Sequence, residues 1–333
     1  MWSWIKRISL FTLCLTLLSS AWLGWFALRP VTLRTDSAEF SIKAGSSLKN
    51  ATRQIVDSGV ELNAWQFNVL GRLLGKASTI KAGSYEVGRG ITPLALLNKL
   101  TAGEVTQTEL VFIEGWTFRQ MRAALDADAD VRHDSAALSD EEIMARLGAA
   151  GRSPEGLFFP DTYMFGKGTS DLDILRRAYK TMERKLQAAW QRRAPDLPYR
   201  SPYEALIMAS VIEKETGQAT DRALVSGVFV NRLRIGMMLQ TDPSVIYGLG
   251  EKFDGNLRKK DLRTDTPHNT YTRPGLPPTP IAMPGEAALQ AALNPAHTKA
   301  LYFVARGDGT SEFSRTLAEH ERAVAKYQRR GRH

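Results

Sequence analysis

The sequence predicts an α+β protein that carries one transmembrane helix at its N-terminus. The first observation is an uncharged, apolar run of 21 residues from Ile8 to Leu28. The second is a series of short β segments, each followed by a glycine turn and an amphipathic helix. The third is a longer C-terminal region of helical segments, loops and a hairpin pattern. With 333 residues, 43% hydrophobic and 24% charged, the chain is globular and has room for one large domain or two modest ones.

The apolar run is long enough to cross the hydrocarbon core of a bilayer as a helix. Lys6 and Arg7 precede it, and the positive-inside rule predicts that this end stays in the cytoplasm. We therefore expect residues 1–7 to be a cytoplasmic tail and residues 8–28 to be the transmembrane helix. Aromatic side chains, which favour the lipid–water interface, crowd the opposite end at Trp22, Trp25 and Phe26.

A cleaved signal peptide is the alternative for this segment. The apolar run is longer than the usual core of a signal peptide, and no small-residue cleavage pattern follows before Arg29. These features favour the uncleaved anchor. Since either topology puts residues 30–333 outside the cytoplasm, we expect a single-pass membrane protein whose larger part lies outside the cytoplasm.

The composition restricts the partners and cofactors. A net charge of +9 and a pI near 9.6 favour anionic partners such as lipid headgroups, acidic wall polymers or nucleic acid. The predicted topology makes nucleic acid an unexpected partner. Cys14 is the single cysteine, so an intrachain disulfide and a cysteine-rich metal site are excluded. The histidines lack the H-E-x-x-H spacing of a zinc peptidase, and we expect neither a metal nor another cofactor.

Residues 39–110 predict a small α/β module. Within and just after it, a β segment, a glycine-containing turn and a short amphipathic helix follow one another three times. Strands that alternate with short helices are typical of such modules. The three predicted helices cover residues 48–56, 91–100 and 118–125.

Residues 111–333 predict a larger, mixed α+β region. One of its helices, near residues 139–148, carries the capping pair Ser139 and Glu142. A hairpin pattern covers residues 300–305 and 311–314 around a Gly-Asp-Gly turn. Further helices are predicted at 171–193, 221–234 and 316–327.

The segment 201–217 predicts a helix of about four turns with defined ends. Ser201 is a suitable N-cap, Pro202 suits the first helical position, and Glu204 completes a capping-box pattern. Gly217 is a suitable stop signal.

Glu215 is the candidate catalytic acid on this helix. Met208, Val211 and Ile212 lie seven, four and three residues before it, so they share its face. A carboxyl group held against apolar side chains has a raised pKa, which suits a general acid near neutral pH. The alternative is an exposed glutamate at a helix end, paired with Lys214 or Arg222.

Polar residues between apolar or proline-rich segments are candidates for the substrate cleft. Gln240, Thr241 and Asp242 interrupt two apolar runs, and residues 269–271 precede the proline-rich loop 275–281. Loops of this kind often line binding clefts.

Five sequence motifs resemble those of the endolytic murein transglycosylases of the YceG-like family. They occur in the same order as in that family, and the resemblance extends over nearly the whole chain. The sequence departs from the family pattern at His268, Met283 and Glu312, where tyrosine, asparagine and histidine are usual. The motifs are Glu155–Tyr163, Ala209–Thr216, Leu239–Tyr247, Asn269–Tyr271 and Gly275–Pro278.

This resemblance implies the activity and its organisation. The expected reaction is cleavage of MurNAc–GlcNAc β-1,4 bonds within nascent peptidoglycan strands, which leaves 1,6-anhydroMurNAc ends and limits strand length. The resemblance implies a LysM-like module at 39–110, a catalytic domain at 111–333, and peptidoglycan synthases as partners. The catalytic glutamate of the family is the second Glu of Glu-Lys-Glu-Thr, which is Glu215. Candidate substrate-binding residues are Glu213, Gln240, Thr241, Asp242, Asn269, Tyr271 and Asp161.

Two alternatives stay open on the residues alone. A hydrolase needs a second carboxylate, and Asp161, Asp242 and Glu213 are available, so a lysozyme-like hydrolase is the alternative enzyme. The transglycosylase needs none, because the 6-hydroxyl of the sugar is an intramolecular nucleophile at high effective concentration. The alternative outside enzymology is a non-catalytic, glycan-binding scaffold.

Overall fold

A computed structural model describes residues 2–43 and 45–328. The chain folds into two compact units. Unit 1 comprises Met1–Glu109 together with Met164–Thr169, and unit 2 comprises Leu110–Tyr163 together with Ser170–His333. The structure confirms the mixed α+β class and the N-terminal apolar helix.

Unit 1 begins with a long helix and continues with short strands and helices. The strands pair two by two, β1 with β3 and β2 with β4. The elements are α1 (Trp2–Leu28), β1 (Thr32–Leu33), β2 (Ser37–Ile42), α2 (Leu48–Asp57), β3 (Val60–Glu61), α3 (Ala64–Leu73), β4 (Gly83–Gly88), α4 (Pro93–Ala102) and β5 (Gln107–Val111), the last of which crosses into unit 2.

Helices cover one face of the β2–β4 ribbon in unit 1. The two strands are antiparallel, with Phe40 opposite Tyr85, and these two rings stack at 5.7 Å. The alternating burial of β2 sends one set of side chains into the core and the other to the surface, as a strand period of two requires. Gly71 of α3 allows a close approach, because a Cβ there would lie 2.4 Å from a methyl carbon of Leu48.

Helix α3 is an element that the sequence analysis missed. The side chain of Asn63 accepts a hydrogen bond from the backbone N–H of Gln66 at 3.1 Å and so caps the helix. Phe67 and Leu70 are buried, whereas Trp65 is exposed. Exposed apolar residues blurred the periodicity that would have revealed the helix. The order of this part of unit 1 is β2-α2-β3-α3-β4.

Helix α1 is long and apolar enough to cross a membrane over Ser9–Leu28, by length and composition. Signal sequences share these properties. The helix begins at Trp2, within the segment that the sequence assigns to a cytoplasmic tail.

Unit 2 is mainly helical. Strands β9 and β10 form the predicted antiparallel hairpin, β5 pairs with β7, and β6 pairs with β8. Strands β7 (Thr162–Gly166) and β8 (Thr169–Ser170) each lie partly in unit 1. The other elements are α5 (Phe118–Ala127), β6 (Val131–Arg132), α6 (Asp140–Arg146), α7 (Asp171–Gln191), α8 (Pro202–Glu215), α9 (Ala219–Arg234), α10 (Asp242–Leu249), α11 (Lys259–Arg263), α12 (Glu286–Leu293), β9 (Tyr302–Ala305), β10 (Ser311–Ser314) and α13 (Leu317–Tyr327).

Helix α8 is the central element of unit 2. Every residue from Ala205 to Ile212 is buried, because α7, α9, α10 and α12 all pack against this helix. Met208, Val211 and Ile212 are buried as predicted, but burial is not confined to their face, since α8 is covered on all sides over two turns. Ser201 caps the helix as predicted. Glu204 accepts its hydrogen bond from the N–H of Arg200 rather than from that of Ser201, so the reciprocal capping box does not form.

Candidate active site

Glu215 is the last residue of α8 and is half-buried. Its Oε2 accepts a hydrogen bond of 2.9 Å from the hydroxyl of Thr241. Burial raises the pKa of Glu215 to about 7, and the negative charge of Asp242 acts in the same direction. The hydrogen bond from Thr241 and the positive charge of Arg232 favour the anion and limit the rise of this pKa. Glu215 is thus partly protonated near neutral pH.

The hydroxyl of Thr241 is held in place by a buried polar cluster. The N–H of Thr241 donates to Oγ1 of Thr270 at 3.0 Å, and the hydroxyl of Ser244 donates to the carbonyl of Thr241 at 2.7 Å. The hydroxyl oxygens of Ser244 and Thr270 lie 2.8 Å apart. All three side chains are at most 2% exposed. The segment that carries the Thr241 hydroxyl, the donor to Glu215, is therefore fixed by the fold.

The backbone of Gln240 is strained at the entrance to this cluster. Its φ is +51°, a left-handed conformation that is uncommon for residues other than glycine. The N–H of Gln240 donates to the carbonyl of Thr270 at 3.1 Å. This bond, together with that of Thr241, fixes the turn that leads into α10, and the side chain of Gln240 is exposed.

Asp242 and Tyr271 form a pair beside Glu215. The phenol of Tyr271 donates to Oδ1 of Asp242 at 2.5 Å. Burial and the charge of Asp242 raise the pKa of Tyr271, so it is a neutral donor at physiological pH. Asp242 is exposed and Tyr271 half-buried, so both offer polar atoms at the surface near the carboxyl of Glu215.

Asn269 lies inside its loop rather than at the surface. Its side-chain amide donates to the carbonyls of Asp261, Leu262 and Thr264 at 3.3, 3.2 and 2.7 Å. Its Oδ1 accepts from the N–H of Tyr271 at 2.8 Å. Asn269 is fully buried, so its side chain organises the segment that presents Tyr271.

Arg232 is a residue near the site that the sequence analysis missed. Its guanidinium donates from Nε to the carbonyl of Leu301 at 2.7 Å and from Nη1 to that of Leu239 at 2.6 Å. Among residues 2–43 and 45–328, no carboxylate lies within ion-pair distance of it, although its charge acts on Glu215. The signal was present, since Arg232 follows Val225 by seven residues on the buried face of α9.

Glu213 and Asp161 lie apart from this cluster. Oε2 of Glu213 accepts the N–H of Gly285 at 2.9 Å, just before α12, and burial raises the pKa of this glutamate. Asp161 is exposed, and its Oδ1 accepts from the N–H of Thr162 at 2.8 Å. In the described part of the chain, neither carboxylate hydrogen-bonds to Glu215 or Thr241.

Glu155 is a second buried carboxyl group with a raised pKa. Its Oε1 accepts from the N–H of Phe118 at 3.1 Å, and its Oε2 accepts from the phenol of Tyr247 at 3.2 Å. Burial raises the pKa of Glu155 to about 7. The His268 ring packs against that of Tyr247 at 4.9 Å, and its Nε2 lies 3.0 Å from Oγ1 of Thr279. Glu155 thus links the start of α5 to α10, the helix that begins beside Thr241.

The site is suited to acid catalysis by a single carboxyl group. Glu215 is protonated in a substantial fraction of molecules near pH 7, and it faces one fixed hydroxyl and one buried cation. Such an environment allows proton donation to a leaving group and return of the proton afterwards. No group of three or more His, Cys, Asp or Glu side chains in the described residues is arranged to hold a metal ion.

Residues 40–326 match the sequence profile of the YceG-like family. A relative named endolytic murein transglycosylase, from Bacillus subtilis strain 168, is 32% identical over 309 residues, which cover 87% of this chain and 85% of the relative. A relative of the same name from Streptococcus pneumoniae strain D39 is 27% identical over 282 residues. That alignment covers 74% of this chain and 51% of the relative, so the match spans about half of the pneumococcal protein.

A crystal structure of a YceG-like protein from Listeria monocytogenes is similar to this fold. The two chains superpose with a TM-score of 0.53 at 30% sequence identity. The alignment covers 86% of this chain and 98% of the Listeria chain.

Proposed function

This chain belongs to the YceG-like family, and we propose that it is a membrane-anchored, endolytic murein transglycosylase with Glu215 as its catalytic acid. The proposal rests on one observation above all. Glu215 has a pKa raised to about 7 by burial, and the fixed hydroxyl of Thr241 orients its carboxyl group. The names of the relatives from Bacillus and Streptococcus support murein as the substrate.

The proposed reaction cleaves the β-1,4 bond between MurNAc and GlcNAc inside a nascent glycan strand. Glu215 donates its proton to the glycosidic oxygen while the bond from that oxygen to C1 of MurNAc breaks. The 6-hydroxyl of the same MurNAc bonds to C1 and loses its proton to the Glu215 carboxylate. The products are a 1,6-anhydroMurNAc end and a GlcNAc with a free 4-hydroxyl. No water is consumed, and each cut shortens the strands.

A single carboxyl group suffices for this chemistry. The intramolecular hydroxyl replaces the water or nucleophilic carboxylate that a hydrolase requires. Thr241 and Arg232 stabilise the Glu215 anion after proton donation, because a hydrogen bond and a nearby positive charge both favour the charged form.

The predicted substrate-binding residues divide by exposure into those that contact the glycan and those that fix the backbone around the site. We assign Gln240, Asp242 and Tyr271 to direct glycan contact, because they are exposed or half-exposed next to Thr241. Asn269 and Glu213 fix backbone around the site through the bonds already described. Asp161 is proposed as a more distant glycan contact, on the family resemblance alone.

The proposed location is the inner membrane, with α1 as a single-pass anchor and the remainder on the periplasmic side. The length and composition of Ser9–Leu28 support the anchor. The order β2-α2-β3-α3-β4, with two helices between the strands of an antiparallel β2–β4 pair, is compatible with a LysM-like, glycan-binding module in unit 1. Peptidoglycan synthases are the proposed partners, since an anchored endolytic enzyme meets new strands at the membrane. A crosslinking screen in membranes that recovers no synthase would contradict that part of the proposal.

The decisive test is mass analysis of the products formed from uncrosslinked glycan strands. The full chain in detergent is compared with Glu215→Gln, and Glu204→Gln, in the first turn of α8, is the control for a change of charge on the same helix. We expect internal fragments with 1,6-anhydro ends from the wild type and from Glu204→Gln, and none from Glu215→Gln. Reducing ends would identify a hydrolase, equal cleavage by wild type and Glu215→Gln would show that Glu215 is not the catalytic acid, and no cleavage by either would support the scaffold.

A further inference from the structure

The last turns of α1 belong to the core of unit 1. Ala27 is buried, and Leu23 and Phe26 pack against the same core cluster. These three residues lie on one face of the helix, three and four residues apart. The helix contacts both α3 and α4 along this face. The end of the apolar helix is therefore covered on one side by protein.

This packing conflicts with a membrane-spanning segment that lies wholly outside unit 1. The 14 residues from Ser9 to Trp22 rise about 21 Å along a helix, which is about 9 Å less than the hydrocarbon core of a bilayer. Completing the span toward the N-terminus would bring Lys6 and Arg7 into hydrocarbon. Completing it toward Leu28 places the residues that pack on unit 1 at membrane depth. Unit 1 must then touch the lipid interface itself.

The surface next to α1 has the composition that such a contact requires. We call it the α2–α3 face and define it by apolar and basic residues of these two helices. Trp65 is 66% exposed and Leu73 is 70% exposed, and the ring of Trp65 lies 6.1 Å from that of Trp22 on α1. Trp22 and Trp65 thus join the apolar helix to this face. Its residues are Lys49, Arg53, Val56, Trp65, Val69, Arg72 and Leu73.

The arrangement of this face fits a layer of phospholipid headgroups. Six of these seven residues (all except Leu73), with Asp57, line a cavity of about 510 Å³ between α2 and α3. The cavity wall carries three cations and one carboxylate, that of Asp57, so it is net positive. Exposed tryptophan beside basic side chains is typical of a membrane interface, where the ring lies at headgroup level and the cations meet anionic lipid.

We infer that the α2–α3 face lies against the surface of the phospholipid bilayer, continuous with the anchor α1. The inference rests on the membrane anchor in the proposed function but not on the cleavage reaction. Helix α1 and the α2–α3 face then form one membrane-contacting surface within unit 1. A helix that served only as a tether would not have to pack Ala27 in the core of unit 1. It would also not have to place Trp22 beside the exposed Trp65.

The test measures the depth of single probes on the full chain in phosphatidylethanolamine–phosphatidylglycerol vesicles. Cys14, exposed on the apolar helix, takes a fluorescent label directly and reports whether α1 is in the bilayer. In a Cys14→Ala background, Leu73→Cys and Trp65→Cys report on the α2–α3 face. Glu86→Cys is the control, since Glu86 lies on the outer side of the β2–β4 ribbon, away from the helices. Leu73 is so exposed that its replacement should leave the fold intact even if Trp65→Cys does not.

We expect nitroxide-bearing lipids to quench the probes at 14, 65 and 73 much more than the probe at 86. Iodide in the water should show the opposite order. If the probe at 14 is quenched by lipid while that at 73 behaves like that at 86, the anchor stands and the docking of unit 1 is wrong. If the probe at 14 is not quenched either, both are wrong. Protection of 65 and 73 by added glycan strands but not by lipid would make the face a glycan site and overturn the inference.

This experiment separates the lipid contact from the cleavage reaction. Leu73→Cys combined with Glu215→Gln should lose glycan cleavage and keep its quenching by lipid. If it loses the quenching as well, the lipid contact of unit 1 is not a property of this face. A wild-type chain without cleavage activity would leave the expected pattern of quenching unchanged.

Discussion

Burial raises the pKa of Glu215, and two neighbouring residues adjust this pKa in opposite directions. Thr241 donates a hydrogen bond to the carboxylate and lowers this pKa, whereas the charge of Asp242 raises it. The two residues are adjacent in the chain, at the start of α10. A shift of this short segment would therefore change both influences at once.

This balance predicts opposite shifts in the pH profile of cleavage. Because the acid form of Glu215 is required, kcat/KM should fall as the pH rises through about 7 in the wild type. Thr241→Val removes the hydrogen bond to the anion, so the fall should move to higher pH. Asp242→Asn removes the repelling charge, so the fall should move to lower pH. The measurement is the pH dependence of kcat/KM on glycan strands, whatever the loss of absolute rate.

Thr241→Ser is the matched control, because it retains the hydroxyl group. Its profile should coincide with that of the wild type. Shifts of the same sign in Thr241→Val and Asp242→Asn would show that Glu215 is not the group that titrates.

The same carboxyl group predicts how stability depends on pH. The pKa of Glu215 is raised from 4.5 to about 7 on folding, so its contribution to stability is complete below pH 4.5 and is lost as the pH rises through 7. Glu215→Gln does not titrate. Its free energy of unfolding should therefore improve relative to the wild type between pH 4.5 and 8, by on the order of 1–3 kcal/mol, reduced by the partial exposure of the side chain. Urea unfolding at several pH values measures this difference, and a flat difference would contradict the raised pKa.

Helix α10 is held at both ends, at Thr241 near its start and at Tyr247 within its last turn. Tyr247 donates to the buried carboxyl of Glu155, which also accepts the first N–H of α5. A second phenol–carboxylate pair, Tyr327 with Glu312, has the same length of 3.2 Å but lies at a partly exposed site. The two pairs allow the same substitution to be compared in different surroundings.

Tyr247→Phe should destabilise the protein by about 1–3 kcal/mol, because it leaves a buried acceptor without its donor. The loss of stability should be larger at pH 8 than at pH 5. The pKa of Glu155 is about 7, so its carboxyl group is mostly ionised at pH 8, and the hydrogen bond from the phenol stabilises the anion more than the neutral acid. Tyr327→Phe should cost less than about 1 kcal/mol, because water can replace the donor there. Equal losses in chemical denaturation would show that the buried link to α10 does not stabilise it.

Capping residues in the sequence correctly predicted the helices that begin at them. Ser139 with Glu142 forms the capping box of α6 as predicted, and Ser201 caps α8. Glu215 lies at the end of α8 as predicted, although the burial of this helix extends well beyond the face that Met208, Val211 and Ile212 share with it. The pKa depends on burial, and α7, α9, α10 and α12 supply that burial from distant parts of the chain.

Tertiary contacts determine what the sequence analysis did not predict. The left-handed backbone of Gln240 follows from bonds between its segment and Thr270, thirty residues away. Nothing within residues 236–244 specifies it. Asn269 was predicted to bind substrate, but its amide instead serves three carbonyls of its own loop, a geometry that requires the folded loop. Arg232 could have been found, because its spacing from Val225 places it on the buried face of α9.

At the scale of the whole molecule, the apolar helix α1 is also part of a folded unit. Leu23, Phe26 and Ala27 pack in the core of unit 1, so a truncation just after α1 removes core residues as well as the apolar segment. Soluble fragments of this protein are therefore sensitive to where they begin.

A fragment of residues 29–333 should be less stable in unit 1 than a fragment of residues 22–333. Loss of the Leu23 and Phe26 contacts exposes the sides of α3 and α4, at a cost of about 2–4 kcal/mol. Amide hydrogen exchange measures this directly, with faster exchange expected in α3 and α4 of the shorter fragment. Exchange in α8 and α12 should be equal in both fragments, and it serves as the internal control. Equal protection of α3 and α4 would show that α1 is dispensable for unit 1.

Unit 1 is completed by a segment that lies far along the chain. The hydroxyl of Ser84 donates to the carbonyl of Lys167 at 2.7 Å, and Lys167 pairs with Glu39 at 2.8 Å. Residues 110–163 separate this segment from the rest of unit 1. At a synthesis rate of about 5–20 residues per second, these 54 residues take about 3–10 s to emerge. During synthesis unit 1 therefore stays unfinished at one edge until residues 110–163 of unit 2 have been made.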